Sequence, residues 1–268
     1  MVDPYVHGYH PKESTRLQDQ AATLVALLHS DTSYPPESLV LEAGCGVGAQ
    51  TVPLAKNSPG AKIIALDISR SSAAEAKRKA EEEGLSNVRV LQGDIFHLPF
   101  RKGTFDQLFV CFVLEHLPRP VETLSILKEF IKPGGTITAI EGDHGSAYFH
   151  PDSSAARRAI DCQVRLQERA GGNAMIGREL YPLLSRAGFS EVSVSPRMVY
   201  ADGSRPAMAE GFTRRTFTAM IEGVRDAALA EGMMAAAEFD EGVGDLYRTS
   251  EEDGVFCYTF FKATGRKG

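Results

Sequence analysis

Glycines at alternate positions, Gly44, Gly46 and Gly48, follow the acidic residue Glu42 at the end of the apolar run 39–41. Glycine has no Cβ and adopts positive φ readily, so a ligand can lie directly against the peptide groups of such a turn. A helix after the turn would point its first N–H groups at the same ligand. We therefore predict a ligand-binding turn here, with a turn that serves only packing as the alternative.

Acidic residues also follow the next two predicted strands. Asp67 closes the apolar run 63–66 and precedes Ile68, and Asp94 comes shortly after the strand predicted over 88–91. A carboxylate at the carboxyl end of a second strand can accept hydrogen bonds from both hydroxyls of a ribose. The pattern predicts a ribose-containing ligand across these strand ends. An Asp67 that only begins a turn or caps the next helix is the alternative.

Five motifs in this order and spacing, over residues 38–142, resemble those of class I S-adenosylmethionine (SAM)-dependent methyltransferases. The first motif reads Glu-x-Gly-Cys-Gly-x-Gly, unlike the Gly-x-Gly-x-x-Gly of dinucleotide sites. A fourth strand is predicted over 107–112, and a Lys-Pro-Gly-Gly turn at 132–135 leads into a fifth strand over 136–140. The resemblance implies that the chain binds SAM and releases S-adenosylhomocysteine.

The same resemblance assigns roles to single residues. It places Asp67 on the ribose, Asp94 at the exocyclic amine of adenine and Ile95 against the adenine ring. Cys111 would line the pocket, and His116 would lie near the methionine end unless it only caps or packs. Together the predicted cofactor-binding residues are Glu42, Gly44, Gly46, Gly48, Asp67, Ile68, Asp94, Ile95, Cys111, His116, Tyr9, Arg16 and Gln20.

The last three of these residues belong to the N-terminal run from Tyr9 to Gln20, which contains Arg-Leu-x-x-Gln. This run resembles small-molecule methyltransferases in which the N-terminal helix lids the cofactor. The resemblance implies that Arg16 and Gln20 bind the methionine end and that Tyr9 closes over it. An amphipathic helix whose polar face simply meets water is the alternative.

The acceptor side is predicted at Asp143 and His144, which lie between Gly142 and Gly145 directly after the fifth predicted strand. SAM carries its own activated methyl group, so the protein need only align the acceptor and remove a proton where the acceptor has one. An Asp beside a His suits proton removal or acceptor orientation. His144 is the better base near neutral pH, and a polar turn that only connects elements is the alternative.

Composition narrows the class of protein. The chain has 268 residues, of which 43% are apolar and 24% charged, and its formal net charge of −6 disfavours a nucleic-acid partner. No apolar stretch approaches the roughly 18 residues of a membrane span, so a cytoplasmic protein without a membrane partner is expected. The cysteines are scattered, which predicts neither a disulfide framework nor a zinc site, and no metal is expected.

The predicted elements must bring these residues to one edge of a sheet. Alternating strands and helices predict a single α/β domain over 1–268. The resemblance implies a Rossmann-like, mostly parallel seven-stranded sheet in the order 3-2-1-4-5-7-6, with helices on both faces. Cap helices over 1–36 and a helical insert over 206–249, before the last strand at 255–261, would cover the active site. The insert also offers a surface for a homodimer.

These features predict a SAM-dependent methyltransferase that acts on a small-molecule acceptor. A methyltransferase acting on protein or RNA, and a SAM-binding regulatory protein without catalysis, are the alternatives. A nicotinamide-dependent dehydrogenase is disfavoured because neither its glycine spacing nor a Tyr-x-x-x-Lys pair is present. The acceptor atom is not specified by the residues.

Overall fold

A computed structural model describes residues 23–268 of the chain, and its centre is a seven-stranded sheet. The strands run in the order β3-β2-β1-β4-β5-β7-β6, which confirms the predicted order. Strand β7 is antiparallel to both neighbours, and the other described pairings are parallel. The strands are β1 (Leu39–Ala43), β2 (Lys62–Asp67), β3 (Val88–Gln92), β4 (Phe105–Cys111), β5 (Ile131–His150), β6 (Ser190–Asp202) and β7 (Val255–Arg266).

Helices connect the strands, and their ends follow local sequence signals. The Ser69 and Ser153 side chains cap two of the helices by accepting backbone N–H groups, and Pro120 occupies a first turn. No helix within residues 23–268 is both long and apolar enough to cross a membrane. The connecting helices are α1 (residues 23–29), α2 (Thr51–Asn57), α3 (Arg70–Glu82), α4 (Pro120–Phe130), α5 (Ser154–Arg169) and α6 (Leu180–Arg186).

The segment between β6 and β7 is a chain of short helices, which we call the insert. It contains a π-helix of ten residues, in which each backbone turn is one residue wider than in an α-helix. Such widened turns are often found at functional sites. The insert consists of α7 (Pro206–Met208), the π-helix (Ala209–Thr218), α8 (Ala219–Gly223), α9 (Arg225–Ala230) and α10 (Ala236–Arg248).

The core has two parts, one on each face of the sheet, because alternate side chains of a strand point to opposite faces. Val40 and Phe109 belong to one part, whereas Leu41, Leu108 and Val110 belong to the other. The first part also includes apolar residues of α1, α2, α5 and the insert, and the second includes residues of α4 and α6. Helices therefore cover both faces, and the insert lies on the same face as α1.

Strand β5 is longer than the sequence suggests. It was expected to end at Ile140, but it continues to His150 and pairs with β7, with a register shift between Asp143 and Tyr148. The Gly142–Gly145 stretch is therefore an irregular part of a strand rather than a loop after it. The reason is the long β7, whose backbone supplies hydrogen-bond partners well beyond the reach of the parallel strands.

Candidate functional site

The glycine turn after β1 combines tight packing with an open face. Gly44, Gly46 and Gly48 all have positive φ, at 80°, 52° and 78°. A Cβ on Gly44 would lie 2.5 Å from Cγ2 of Val113, and one on Gly48 would lie 2.9 Å from Cα of Ala76. A Cβ on Gly46 would meet no atom of the described chain within 4 Å. Two of the glycines are thus required for packing, and Gly46 presents its backbone to a space that a ligand can occupy.

Asp67 ties this turn to the start of α3. Its Oδ2 accepts the backbone N–H of Gly46 and its Oδ1 accepts that of Ser69, both at 2.8 Å. Burial raises the pKa of the carboxyl, and the two N–H groups act in the opposite direction. The carboxylate therefore lies beside the open face of the turn. A side chain that binds the ribose must lie there, and ribose binding itself stays a prediction.

Glu42 is buried directly below the turn, with 2% of its surface exposed. Its Oε2 has no hydrogen-bond partner within residues 23–268. Burial, and after it the negative charge of Asp67, raise the pKa of this carboxyl to about 7. A buried acceptor oxygen without a donor fits a bound group that brings one, such as the ammonium of a methionine end.

The predicted adenine end is formed by the segments after β2 and β3. Ile68 is 64% exposed, which is unusual for a large apolar side chain. Asp94 accepts the backbone N–H of Phe96 and pairs with Nδ1 of His97, each at 2.9 Å. Ile95 is partly buried against the core under α4. An exposed Ile68 next to the strand ends fits an aromatic ring as partner, and the adenine contacts stay predictions.

Cys111 is the last residue of β4, and His116 follows five residues later. Burial raises the pKa of the Cys111 thiol well above its ordinary value, so this thiol stays protonated and suits pocket lining rather than attack on a substrate. His116 ends a short 3₁₀ turn, Leu114–His116, with its Nε2 3.6 Å from Oε1 of Glu115. Val113, which lies between the two residues in the sequence, packs next to Gly44 of the glycine turn.

On the acceptor side, Asp143 is held by an arginine that the sequence analysis did not single out. Nε and Nη2 of Arg178 donate to the two carboxylate oxygens, each at 2.7 Å, and the N–H of Gly145 donates to Oδ1 at 3.0 Å. This bidentate pair leaves the carboxylate with a positioning role in the irregular part of β5. His144 is thus the better candidate for proton removal of the two.

His144 is 7% exposed and lies between β7 and the insert. Its Nδ1 is 3.0 Å from Oη of Tyr258, and its Nε2 is 3.4 Å from Sδ of Met220. Burial raises the pKa of Tyr258 well above its ordinary value, so its hydroxyl keeps its proton and can donate it to Nδ1. Because a thioether sulfur only accepts, the Nε2 atom then carries the hydrogen that faces Met220.

Sequence reasoning missed several residues of this site. Tyr258, Met220 and Arg178 have no local signal, because each reaches the site from a distant part of the chain. Phe112 has φ +57°, an uncommon conformation for a bulky residue, and nothing in its sequence context marks it. Glu141 did carry a signal, since an acidic residue directly after the apolar residues 137–140 is unusual in a buried strand.

Two predictions, the N-terminal lid and the absence of a metal, do not concern the residues described above. Tyr9, Arg16 and Gln20 lie outside the described residues, so the N-terminal lid stays a prediction. Over residues 23–268, no group of three His, Cys, Asp or Glu side chains is arranged to hold a metal ion.

Comparison with known proteins identifies the family of the chain. Residues 40–135 match the family model described as a methyltransferase domain. The chain is 31% identical over 187 residues to trans-aconitate 2-methyltransferase of Deinococcus radiodurans, covering 69% of this chain and 67% of that enzyme. It is 38% identical over 109 residues to demethylmenaquinone methyltransferase of Lactococcus lactis, covering 39% of this chain and 42% of that enzyme.

Solved structures share the fold. A geranyl diphosphate methyltransferase in complex with SAM superposes with a TM-score of 0.56 at 16% identity, covering 99% of this chain and 95% of that one. At this identity the likeness concerns the fold alone. The chain spans 42% of the length of that Lactococcus lactis enzyme and 63% of an uncharacterized 37.1 kDa transposon protein of Streptomyces fradiae, to which it is 31% identical, so whole activities do not transfer directly.

Proposed function

Because the chain belongs to the class I SAM-dependent methyltransferases, we propose that it transfers the methyl group of SAM to a small-molecule acceptor by in-line displacement. The observation that carries this proposal is the glycine turn, where Gly46 faces a space that no atom of the described residues fills, beside the carboxylate of Asp67. This is the edge at which open α/β sheets bind ligands. The relatives' names refer to trans-aconitate and demethylmenaquinone, which are small molecules.

The residues at the turn fit the cofactor in this proposal. Asp67 binds the ribose hydroxyls, and Oε2 of Glu42, which has no partner in the described part of the chain, accepts a donor from the methionine end. Ile68 and Ile95 contact the two sides of the adenine, with Asp94 at its exocyclic amine. SAM, when bound, supplies an activated methyl group on its sulfonium, so these side chains only bind and orient it.

Proton removal is assigned to His144 in the same proposal. The Nδ1 lone pair already accepts the hydroxyl of Tyr258. The proton of an acceptor hydroxyl therefore moves to the phenolic oxygen while the proton of Tyr258 moves to Nδ1, which leaves His144 protonated and Tyr258 neutral. Asp143 holds the backbone in place through Arg178. An amine or thiolate acceptor would need no such step.

The direct test is formation of S-adenosylhomocysteine by the purified chain. We expect turnover with members of a panel of small carboxylic acids, phenols and quinols, and none with bulk RNA or with denatured protein as methyl acceptor. Turnover only with RNA or protein would replace the small-molecule assignment by the macromolecular one. SAM binding without turnover on any panel member would favour a regulatory protein.

Replacing the proposed base tests its role once an acceptor is found. His144→Ala should bind SAM as the wild type does but transfer methyl groups about 10²- to 10⁴-fold more slowly, the range for a lost general base. His150→Ala is the matched control, because His150 is exposed at the last position of β5. A His144→Ala protein with the wild-type rate would assign catalysis to alignment alone, and loss of SAM binding would move His144 into the cofactor site.

A further inference from the structure

Glu141 is a buried acid that the proposed reaction does not use. It lies on β5 with 0% of its surface exposed. Its Oε1 accepts the backbone N–H of Val113 at 3.0 Å and that of Leu114 at 2.8 Å. Consecutive N–H groups that converge on one carboxylate oxygen form a backbone nest. Glu141 thus caps the turn Leu114–His116 from a neighbouring strand.

The loop held by this nest lies directly under the glycine turn. Phe112, just before the nest, has φ +57°, so the backbone is held in a conformation that a bulky residue rarely adopts. The side chain of Val113 fills the space next to Gly44, with Cγ2 2.5 Å from the position that a Cβ on Gly44 would take. The contacts therefore run from Glu141 through Val113 to Gly44.

The second oxygen of Glu141 makes no such contact. Oε2 is buried without a hydrogen-bond partner within residues 23–268. Burial, and after it the negative charge of Glu115, raise the pKa of the Glu141 carboxyl well above its ordinary range. Glutamine has nearly the shape of this side chain and keeps one acceptor oxygen, so Glu141→Gln can still accept the N–H groups of Val113 and Leu114.

We propose that Glu141 is a positioning residue for cofactor binding, which holds the loop after β4 so that Val113 supports the glycine turn. The inference rests on the proposed placement of SAM on that turn. Removing the nest would release Val113 and let Gly44 and Gly46 leave the geometry that faces the ligand.

Calorimetric titration of SAM into folded variants tests this. Glu141→Gln keeps an acceptor oxygen and should bind SAM within about threefold of wild type, whereas Glu141→Leu should bind about tenfold more weakly or worse. Equal weakening in both variants would overturn the proposal, because it would mean that the charge itself contacts the cofactor. An unchanged affinity in a folded Glu141→Leu protein would also overturn it.

A second variant tests the same contact without touching the carboxyl. Val113→Ala keeps the nest and removes the contact with Gly44, so it should also weaken SAM binding. If Glu141→Leu does not fold, this variant tests the proposal in its place. Val121→Ala on α4 is the matched control, since Val121 is partly buried in the same part of the core. Equal SAM affinity of the two valine variants would overturn the proposal.

Two further variants test whether weaker binding comes from general destabilisation of the fold or from a wrong placement of SAM. Asp106→Ala removes a carboxylate that accepts the N–H of Leu39 at 2.9 Å, at the opposite end of β4. It should lower the melting temperature and leave SAM affinity unchanged; weakening equal to that of Glu141→Leu would overturn the proposal. If Asp67→Ala loses affinity and Glu141→Leu keeps it, only the role of Glu141 fails. If neither changes, the placement on the turn fails as well.

Discussion

Single residues of the glycine turn differ in what they contribute. Gly44 and Gly48 adjoin Val113 and Ala76 so closely that a side chain would displace them, whereas a Cβ on Gly46 would meet no atom of residues 23–268 within 4 Å. The first two therefore shape the turn, and the third allows the ligand to approach the backbone. The acids around the turn differ in the same way, because Asp67 holds the turn and Glu42 has an oxygen without a hydrogen-bond partner among residues 23–268.

Asp67→Ala is the residue-scale prediction for the cofactor. It should weaken SAM binding by roughly 2–4 kcal/mol, because two charge-assisted hydrogen bonds to the ribose are lost. Calorimetry on the purified protein measures this. Asp161→Ala, which removes an exposed acid on α5, is the control and should bind SAM as the wild type does. An unchanged affinity in Asp67→Ala would remove the ribose assignment.

Glu42 predicts a pH dependence of stability. Its pKa is raised to about 7 in the folded chain by burial and by Asp67, against about 4.3 for an ordinary glutamate in the unfolded chain. Between these values the folded chain keeps a proton that the unfolded chain has lost. The free energy of unfolding should therefore fall as the pH rises from about 4 to about 7, by about 3 kcal/mol, and then level off.

Urea denaturation at pH 5 and pH 7.5 measures this contribution, with Glu42→Gln beside the wild type. The variant cannot titrate at this position, so its stability should fall less between the two pH values. Glu37→Gln, at an exposed position, should behave as the wild type does. Identical pH dependence of Glu42→Gln and wild type would show that Glu42 is not the group responsible.

At the scale of elements, the insert and β7 together enclose the acceptor side. Met220 of the insert contacts His144 of β5, whose other ring nitrogen contacts Tyr258 of β7. The π-helix supplies Phe217, with its ring centroid 6.0 Å from that of His144. An acceptor can reach His144 only if the insert shifts, because the imidazole is almost fully enclosed.

This enclosure predicts that the insert opens and closes. Amides of residues 209–223 should exchange with deuterium faster without SAM and an acceptor than with both, because the open state is then more populated. Hydrogen-exchange mass spectrometry measures the difference. Amides of α4, on the opposite face, serve as the internal control and should not change. Equal exchange of 209–223 in both states would make the insert an ordinary packing element.

At the scale of the whole molecule, the aromatic residues of β7 join the insert to the sheet. Phe256 is fully buried, stacks on Phe149 of β5 and contacts Phe212 and Phe217 of the π-helix. The insert and the sheet thus share one part of the core rather than packing as separate units. We expect the two to unfold together.

Phe256→Ala should therefore destabilise the whole chain by about 3–5 kcal/mol, because it leaves a cavity between the insert and the sheet. Urea unfolding followed by circular dichroism and by tyrosine fluorescence should give one coincident transition in wild type and variant. Phe96→Ala, at an exposed position, should cost much less. Two separate transitions, with different midpoints for the two probes, would contradict the shared core.

Short-range patterns in the sequence were enough to predict the alternation of strands and helices and the glycine turn, and the resemblance to methyltransferases that these patterns carry implied the strand order. The alternation of strands and helices and the acids at strand ends depend on residues that are close along the chain, so their spacing is visible without a structure. The positive φ of Gly44, Gly46 and Gly48 follows from the same local information. The contacts that hold Asp143 and His144 do not follow from local information.

Only the tertiary structure decided those contacts, because their partners are far apart along the chain. Asp143 and Arg178 are 35 residues apart, and His144 and Tyr258 are 114 apart. The extension of β5 to His150 likewise depends on β7, which supplies the backbone partners. A side chain's neighbours across a sheet are set by register and packing between distant elements, and a single sequence carries no local signal for either.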